Sequence, residues 1–165
     1  SDARNDAGLE QALADLPAGS GFVYRHYHLG QLERRARFDT LSALCRDLGH
    51  AVLLAGRPDL ARSWSADGVY GPPETLGDPN GLLRLATAHD ADEITCANRA
   101  NVDGLFLSPV FPTRSHLDGV SLGAEKFHAL AALAECPVIA LGGMSAGRAE
   151  ALGWPRWGAI DGLLR

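Results

Sequence analysis

Lysine is almost missing from this chain of 165 residues. Of its 15 cationic side chains, Lys126 is the single lysine and the rest are arginine. Chemistry that needs an amine therefore has one candidate, and other fixed positive charge must come from guanidinium groups. Cysteine is scarce as well. Cys45, Cys96 and Cys136 stand far apart and fit no metal or redox spacing. They read as small buried hydrophobes in a reducing compartment, which makes the cytoplasm the expected location. Positive charge is in deficit: 15 − 20 gives −5, so there is no electrostatic case for nucleic-acid binding. The longest apolar runs, Ala51 to Ala55 and Ala129 to Ala134, fall far short of the ~20 residues that cross a bilayer. No charged-then-apolar leader is visible, so neither secretion nor a membrane partner is expected. There is also no P-loop, no Gly-x-Gly-x-x-Gly and no His-Glu-x-x-His.

What is present is an alternation of two periods. Hydrophobic residues make up 46% and charged residues 21%, an ordinary globular balance, and residues 1–165 read as one domain. Leu9, Ala12, Leu13 and Leu16 share a helical face behind a capping Asn5 or Asp6. Gly21 to Leu29, rich in aromatics, reads as a strand. Helical spacing returns at Phe38, Leu41, Leu44, Cys45 and Leu48, and Ala51 to Ala55 is an apolar strand of the kind buried on both faces. Further strands are expected at Asp67 to Tyr70, Leu82 to Ala88, Asp103 to Val110, Pro137 to Leu141 and Trp157 to Ile160. Helices lie between most of them, two opening at Asp90 or Asp92 and at Ser145. Such alternation implies parallel strands with helical crossovers. An open doubly wound sheet and a (β/α)8 barrel both fit, although a full barrel usually needs ~200 residues or more.

In either architecture ligands bind beyond the carboxyl ends of the strands. Two segments there are unusual. Ser108 to His116 breaks a strand with two prolines, then offers Thr113, Arg114, Ser115 and His116 within four residues, a stiff set of donors for an anion. Ala140-Leu-Gly-Gly-Met144 runs into a helix start, where Gly142 and Gly143 let bare backbone N–H groups approach a phosphate. His26 and His28 are two apart and share a strand face. They could hold a metal, but structural roles are the expectation, on the face opposite Arg25 and Tyr27.

At these motifs the sequence resembles the thiamine-phosphate synthase and thiazole tautomerase family, built on a (β/α)8 barrel. Val102-Asp-Gly-Leu-Phe-Leu-Ser-Pro-Val-Phe-Pro-Thr113 is similar to the family's strand 6 and its anion-binding loop. Pro137-Val-Ile-Ala-Leu-Gly-Gly-Met144 is similar to strand 7, Asp67-Gly-Val-Tyr70 to strand 4, and Thr87-Ala-His89-Asp90 to the turn after strand 5. The resemblance implies a short TIM barrel, with its first strand and last helix outside these 165 residues. It implies a transferase of thiamine biosynthesis that couples a pyrimidine methyl diphosphate to a thiazole phosphate. By position it makes Arg25, Arg57 and His116 catalytic candidates. Tyr27, Thr87, His89, Thr113, Arg114, Ser115, Gly142, Gly143 and Gly162 become candidates for binding substrate and phosphate.

The family uses Mg²⁺, but its carboxylate places carry Gly56 and, near the second, Thr75, so no metal site is expected and Glu74 is the one acidic neighbour. The expected partner is a small phosphorylated heterocycle, and a homo-oligomer is left open. Two other readings compete. One is a catalytically silent relative that binds thiamine phosphate or a thiazole phosphate. The other is an isomerase or lyase on the same scaffold, with His116 or His89 as general acid and base.

Overall fold

A computed structural model describes residues 1–78, 80–113 and 120–160. The first element is a 3-10 turn, Asp6–Gly8, leading into α1 (Leu9–Ala14). There follow β1 (Gly21–Tyr24), α2 (Gln31–Asp47), β2 (Ala51–Ala55), α3 (Pro58–Ser63) and β3 (Gly68–Gly71). A second 3-10 turn, Pro73–Thr75, precedes β4 (Leu83–Ala88), α4 (Ala91–Ala100) and β5 (Gly104–Leu107). The described chain continues with α5 (Gly123–Ala131), β6 (Val138–Ala140) and α6 (Ala146–Leu152).

The strands form one sheet in the order β1-β2-β3-β4-β5-β6, every neighbour parallel. A doubly wound sheet reverses its strand order at a switch point. Here the order never reverses, which excludes that architecture and leaves the singly wound barrel type. Inward side chains from all six strands, Val23, Leu53, Tyr70, Leu85, Phe106 and Ile139, line one cavity of about 580 Å³. Side chains from six successive strands converge on one space only if the sheet curls. The result is a curled half-barrel, and the described residues do not close it into the full barrel expected from the sequence.

Its two edges are handled differently. Beside β6, Ala140 forms a parallel bridge with Trp157: Ala140 N–H donates to Arg156 O and Gly158 N–H to Ala140 O, each at 2.9 Å. The strand expected over Trp157 to Ile160 is reduced to that bridge. Beside β1, the Ser1 amine donates to Val23 O at 2.8 Å.

The outer face of the sheet carries the core. Phe22, Tyr24, Val52, Leu54, Val69, Ala86, Leu105, Leu107, Val138 and Ala140 pack against Leu41 and Cys45 of α2, Ile94 and Ala97 of α4, and Phe127 of α5. Cys45 is therefore a buried small hydrophobe as expected, and Cys136 is half-buried. Cys96 is exposed on α4, contrary to expectation, because it lies on the helix face away from Ile94 and Ala97. The expected helix starts are capped by Asp90, accepting from Glu93 N–H at 2.9 Å, and by Ser145, accepting from Arg148 N–H at 3.4 Å. The strand expected to reach Leu29 stops at Tyr24. His26 has φ +43° and its carbonyl accepts from Leu29 N–H at 3.2 Å, so the chain turns where the aromatic run continues. Among the described residues no helix is long and apolar enough to cross a membrane.

Large and small residues alternate on the inner face. Leu53 is registered opposite Gly68, and Leu85 opposite Gly104. A Cβ at Gly68 would lie 2.4 Å from Leu83 O, a backbone atom held by the sheet. Gly68→Ala should therefore lower unfolding stability by about 2 kcal/mol, read as a reduced urea midpoint with unchanged slope. Arg84 is buried on the opposite face and donates to the carbonyls of Gly77, Ala100 and Asn101. Arg84→Met keeps the stem but leaves three carbonyls without their charged donor. The expected loss is again about 2 kcal/mol by the same measurement.

Candidate functional site

The site lies at the carboxyl ends of the strands. A cavity of about 300 Å³ is lined by Arg25, Tyr27, Tyr70, Gly71, Pro72, Thr87, His89, Ser108, Pro109, Thr113, the run Leu141 to Met144, Ala159 and Ile160. Arg25, Tyr70, Leu141, Ala159 and Ile160 also line the inner cavity, so the two spaces adjoin.

One wall is the paired loops after β5 and β6. Val110 N–H donates to Leu141 O at 2.9 Å and Phe111 N–H to Gly142 O at 3.0 Å, continuing the ladder beyond the strand ends. The loops approach so closely that a Cβ on Gly142 would lie 2.6 Å from Pro109 Cα, and one on Gly143 2.6 Å from Pro112 O. Both glycines also have positive φ, +90° and +64°. Side chains are excluded twice over, by space and by backbone conformation. Within this turn the amides of Gly142 and Gly143 donate to no carbonyl among the described residues, while Gly143 O accepts from Arg148. Ser108 and Thr113 bring hydroxyls to the same cavity.

The opposite wall carries charge. Arg25 follows β1, and its guanidinium carbon lies 5.6 Å from the centre of the Tyr27 ring. The guanidinium carbon of Arg34 of α2 lies 5.1 Å from the centre of the same ring; Arg34 donates to Arg25 O at 2.7 Å and to Ala55 O at 2.9 Å, and so pins the end of β1 to the end of β2. Tyr70 meets Phe106 edge to face at 5.3 Å, and burial pushes its phenol pKa up, so it stays protonated at neutral pH. His89 is held at the rim by Glu93, whose Oε2 lies 2.8 Å from its Nδ1 and accepts its backbone N–H at 2.7 Å.

Of the residues expected from the sequence, Arg25, Tyr27, Thr87, His89, Thr113, Gly142 and Gly143 are brought to this one cavity. Arg57 is not. It caps α3 on the surface, its side chain 84% exposed and bonded to Asp59 at 3.1 Å, because Pro58 starts the helix and directs the chain outward. Glu74 is exposed in the 3-10 turn and does not line the cavity. Arg114, Ser115, His116 and Gly162 lie outside the described residues. Tyr70 and Ser108 also line the cavity; both stand at strand ends, Ser108 in the proline-bounded segment noted above, but neither is among the residues named as site candidates.

Comparison with known proteins agrees with this geometry. The sequence profile described as thiamine monophosphate synthase matches residues 1–153. The thiamine-phosphate synthase of Parasynechococcus marenigrum is 36% identical over 153 residues, covering 87% of this chain and 44% of that protein. That of Latilactobacillus sakei subsp. sakei is 30% identical over 112 residues, covering 62% of this chain and 50% of that protein. The chain thus spans about half the length of these curated relatives, 44% and 50%. Among solved structures, the thiamine phosphate pyrophosphorylase from Pyrococcus furiosus superposes with a TM-score of 0.79 at 23% identity, covering 96% of this chain and 82% of that one, a likeness of fold. With its profile matched over residues 1–153 and its strands in barrel order, the chain belongs to the thiamine monophosphate synthase family.

Proposed function

We propose that this chain forms the substrate-binding part of a transferase of thiamine biosynthesis, which joins a pyrimidine methyl diphosphate to a thiazole phosphate. The observation that carries the reading is one cavity lined by Gly142 and Gly143, whose amides donate to no carbonyl among the described residues, by the aliphatic hydroxyls of Thr87, Ser108 and Thr113, and by the Arg25 guanidinium. The amides of Gly142 and Gly143, with the hydroxyls of Ser108 and Thr113, hold a phosphate monoester. Arg25 faces the second substrate and balances the charge of the departing diphosphate. In the reaction the C–O bond of the pyrimidine methyl diphosphate breaks and diphosphate leaves with the electron pair. The thiazole nitrogen then donates its lone pair to the resulting cation. Nothing is oxidised or reduced, and no proton need move in the bond-forming step. Tyr70 and Tyr27 supply flat surfaces for the heterocycles.

The family resemblance implies Mg²⁺. Among the described residues lining the cavity there is no Asp or Glu. A hard divalent cation prefers carboxylate oxygen. The described residues therefore do not fit the ion, and no step is routed through it. The same observation favours a second reading, in which the cavity binds thiamine phosphate without turnover.

The test is product formation from the two phosphorylated precursors. Arg25→Ala should lower kcat/KM by tenfold or more, the order expected for one lost charge-assisted contact. An unchanged value removes Arg25 from the mechanism. Gly143→Ala should raise KM for the thiazole phosphate about tenfold with a smaller change in kcat, since its Cβ displaces the loop that positions the amides. Thermal stabilisation of the unaltered protein by thiamine phosphate, with no product formed, selects the second reading.

A further inference from the structure

A second polar cluster lies outside this cavity, on the outer side of β1, and the proposed transferase reaction makes no use of it. It is built by the turn that ends β1. His26 is fully buried there, with φ +43°. Its Nε2 lies 2.9 Å from Asp6 Oδ1 and its Nδ1 2.8 Å from Ser1 Oγ. His28 follows two residues later with its ring centre 5.1 Å from that of His26; it is exposed, and its nitrogens form no hydrogen bond among the described residues. One ligand atom each from Asp6, His26 and His28 falls within 4.8 Å of the other two.

We propose that Asp6, His26 and His28 bind a first-row transition-metal dication of the Zn²⁺ class. Two imidazoles and one carboxylate suit such ions, while Mg²⁺ prefers oxygen ligands throughout. Bonds of about 2.0–2.1 Å to a tetrahedral centre require ligand atoms about 3.3 Å apart. The exposed His28 ring closes that gap by rotating about its side-chain bonds. The other two ligands are already oriented. In the metal-free state Nε2–H of His26 donates to Asp6, and Nδ1 accepts from the Ser1 hydroxyl. On binding, the proton moves to Nδ1 and donates to Ser1 Oγ, which frees Nε2 for the ion and supplies the outer hydrogen bond that metal-bound histidines usually make.

Charge around the cluster permits this. Arg37 donates to Asp6 Oδ1 at 2.8 Å, which leaves Oδ2 for the ion, and the same guanidinium is neutralised by Glu10. With three protein ligands the ion would keep positions open to water. It would also fix the turn whose middle residue, Tyr27, lines the cavity.

The test is titration of tag-free protein with ZnCl₂ by isothermal calorimetry, with MgCl₂ as the control, and with CoCl₂ to read ligation from visible absorption. The expected result is one Zn²⁺ per chain, a Co²⁺ spectrum of nitrogen and oxygen ligation, and no uptake of Mg²⁺ at this cluster. His28→Ala and Asp6→Asn should each weaken Zn²⁺ binding at least about tenfold. His28 is exposed, so His28→Ala should melt within about a degree of the unaltered protein when a chelator is present, which separates loss of the site from loss of the fold. Absence of stoichiometric Zn²⁺ uptake overturns the proposal. So does uptake that survives both substitutions, since the ion would then sit elsewhere, for example at the exposed Cys96.

Discussion

Two backbone hydrogen bonds, Val110 N–H to Leu141 O and Phe111 N–H to Gly142 O, carry the parallel ladder of β5 and β6 past the ends of both strands. They bring the proline-bounded loop after β5 against a turn in which no side chain fits at Gly142 or Gly143. The carbonyls of that turn accept hydrogen bonds, while the amides of Gly142 and Gly143 donate to no carbonyl among the described residues. The candidate site follows from this constraint. Backbone N–H groups cannot move away as a flexible lysine can, so an anion bound there, as proposed, would meet donors whose orientation was fixed when the sheet formed.

The near absence of lysine shapes the rest of the molecule. Arginine carries the structural clamps: Arg84 gathers three carbonyls beneath the sheet, Arg34 ties the ends of β1 and β2, and Arg37 joins Asp6 to Glu10 across α1 and α2. A guanidinium can do this because its donors diverge in a rigid plane and reach several acceptors at once. Arg25 differs from these three, because its side chain faces the cavity and stacks on Tyr27 rather than bridging carbonyls.

Much of the fold was legible in the sequence. The apolar strands Ala51–Ala55, Leu83–Ala88 and Val138–Ala140 stand where hydrophobic runs and turn signals place them, and Asp90 and Ser145 cap their helices. Seven of the residues picked as site candidates converge on one cavity, because strand-end position in a parallel sheet already selects the ligand face. Where the structure departs from the sequence pattern, the difference is local. The aromatic run after Tyr24 has strand propensity throughout, yet His26 is held by Asp6 and Ser1 in a turn that no pattern of period two announces. Arg57 fits the family's position, but the proline after it opens a helix and its charge is spent on Asp59 at the surface.

Sequence alone determined the class of fold, the parallel sense of the strands and the family. Each follows from short-range patterns: the alternation of periods and the glycines and prolines at loop starts. Periodicity left a doubly wound sheet and a barrel both open; the family motifs implied a barrel, and tertiary structure showed the unreversed strand order of a curled half-barrel, because strand order is set by long-range pairing that periodicity does not encode. It also decided which cations face the cavity, and that Asp6, His26 and His28, drawn from two segments, share one corner. Those outcomes depend on how separate elements pack against one another, and packing is a property of the whole chain.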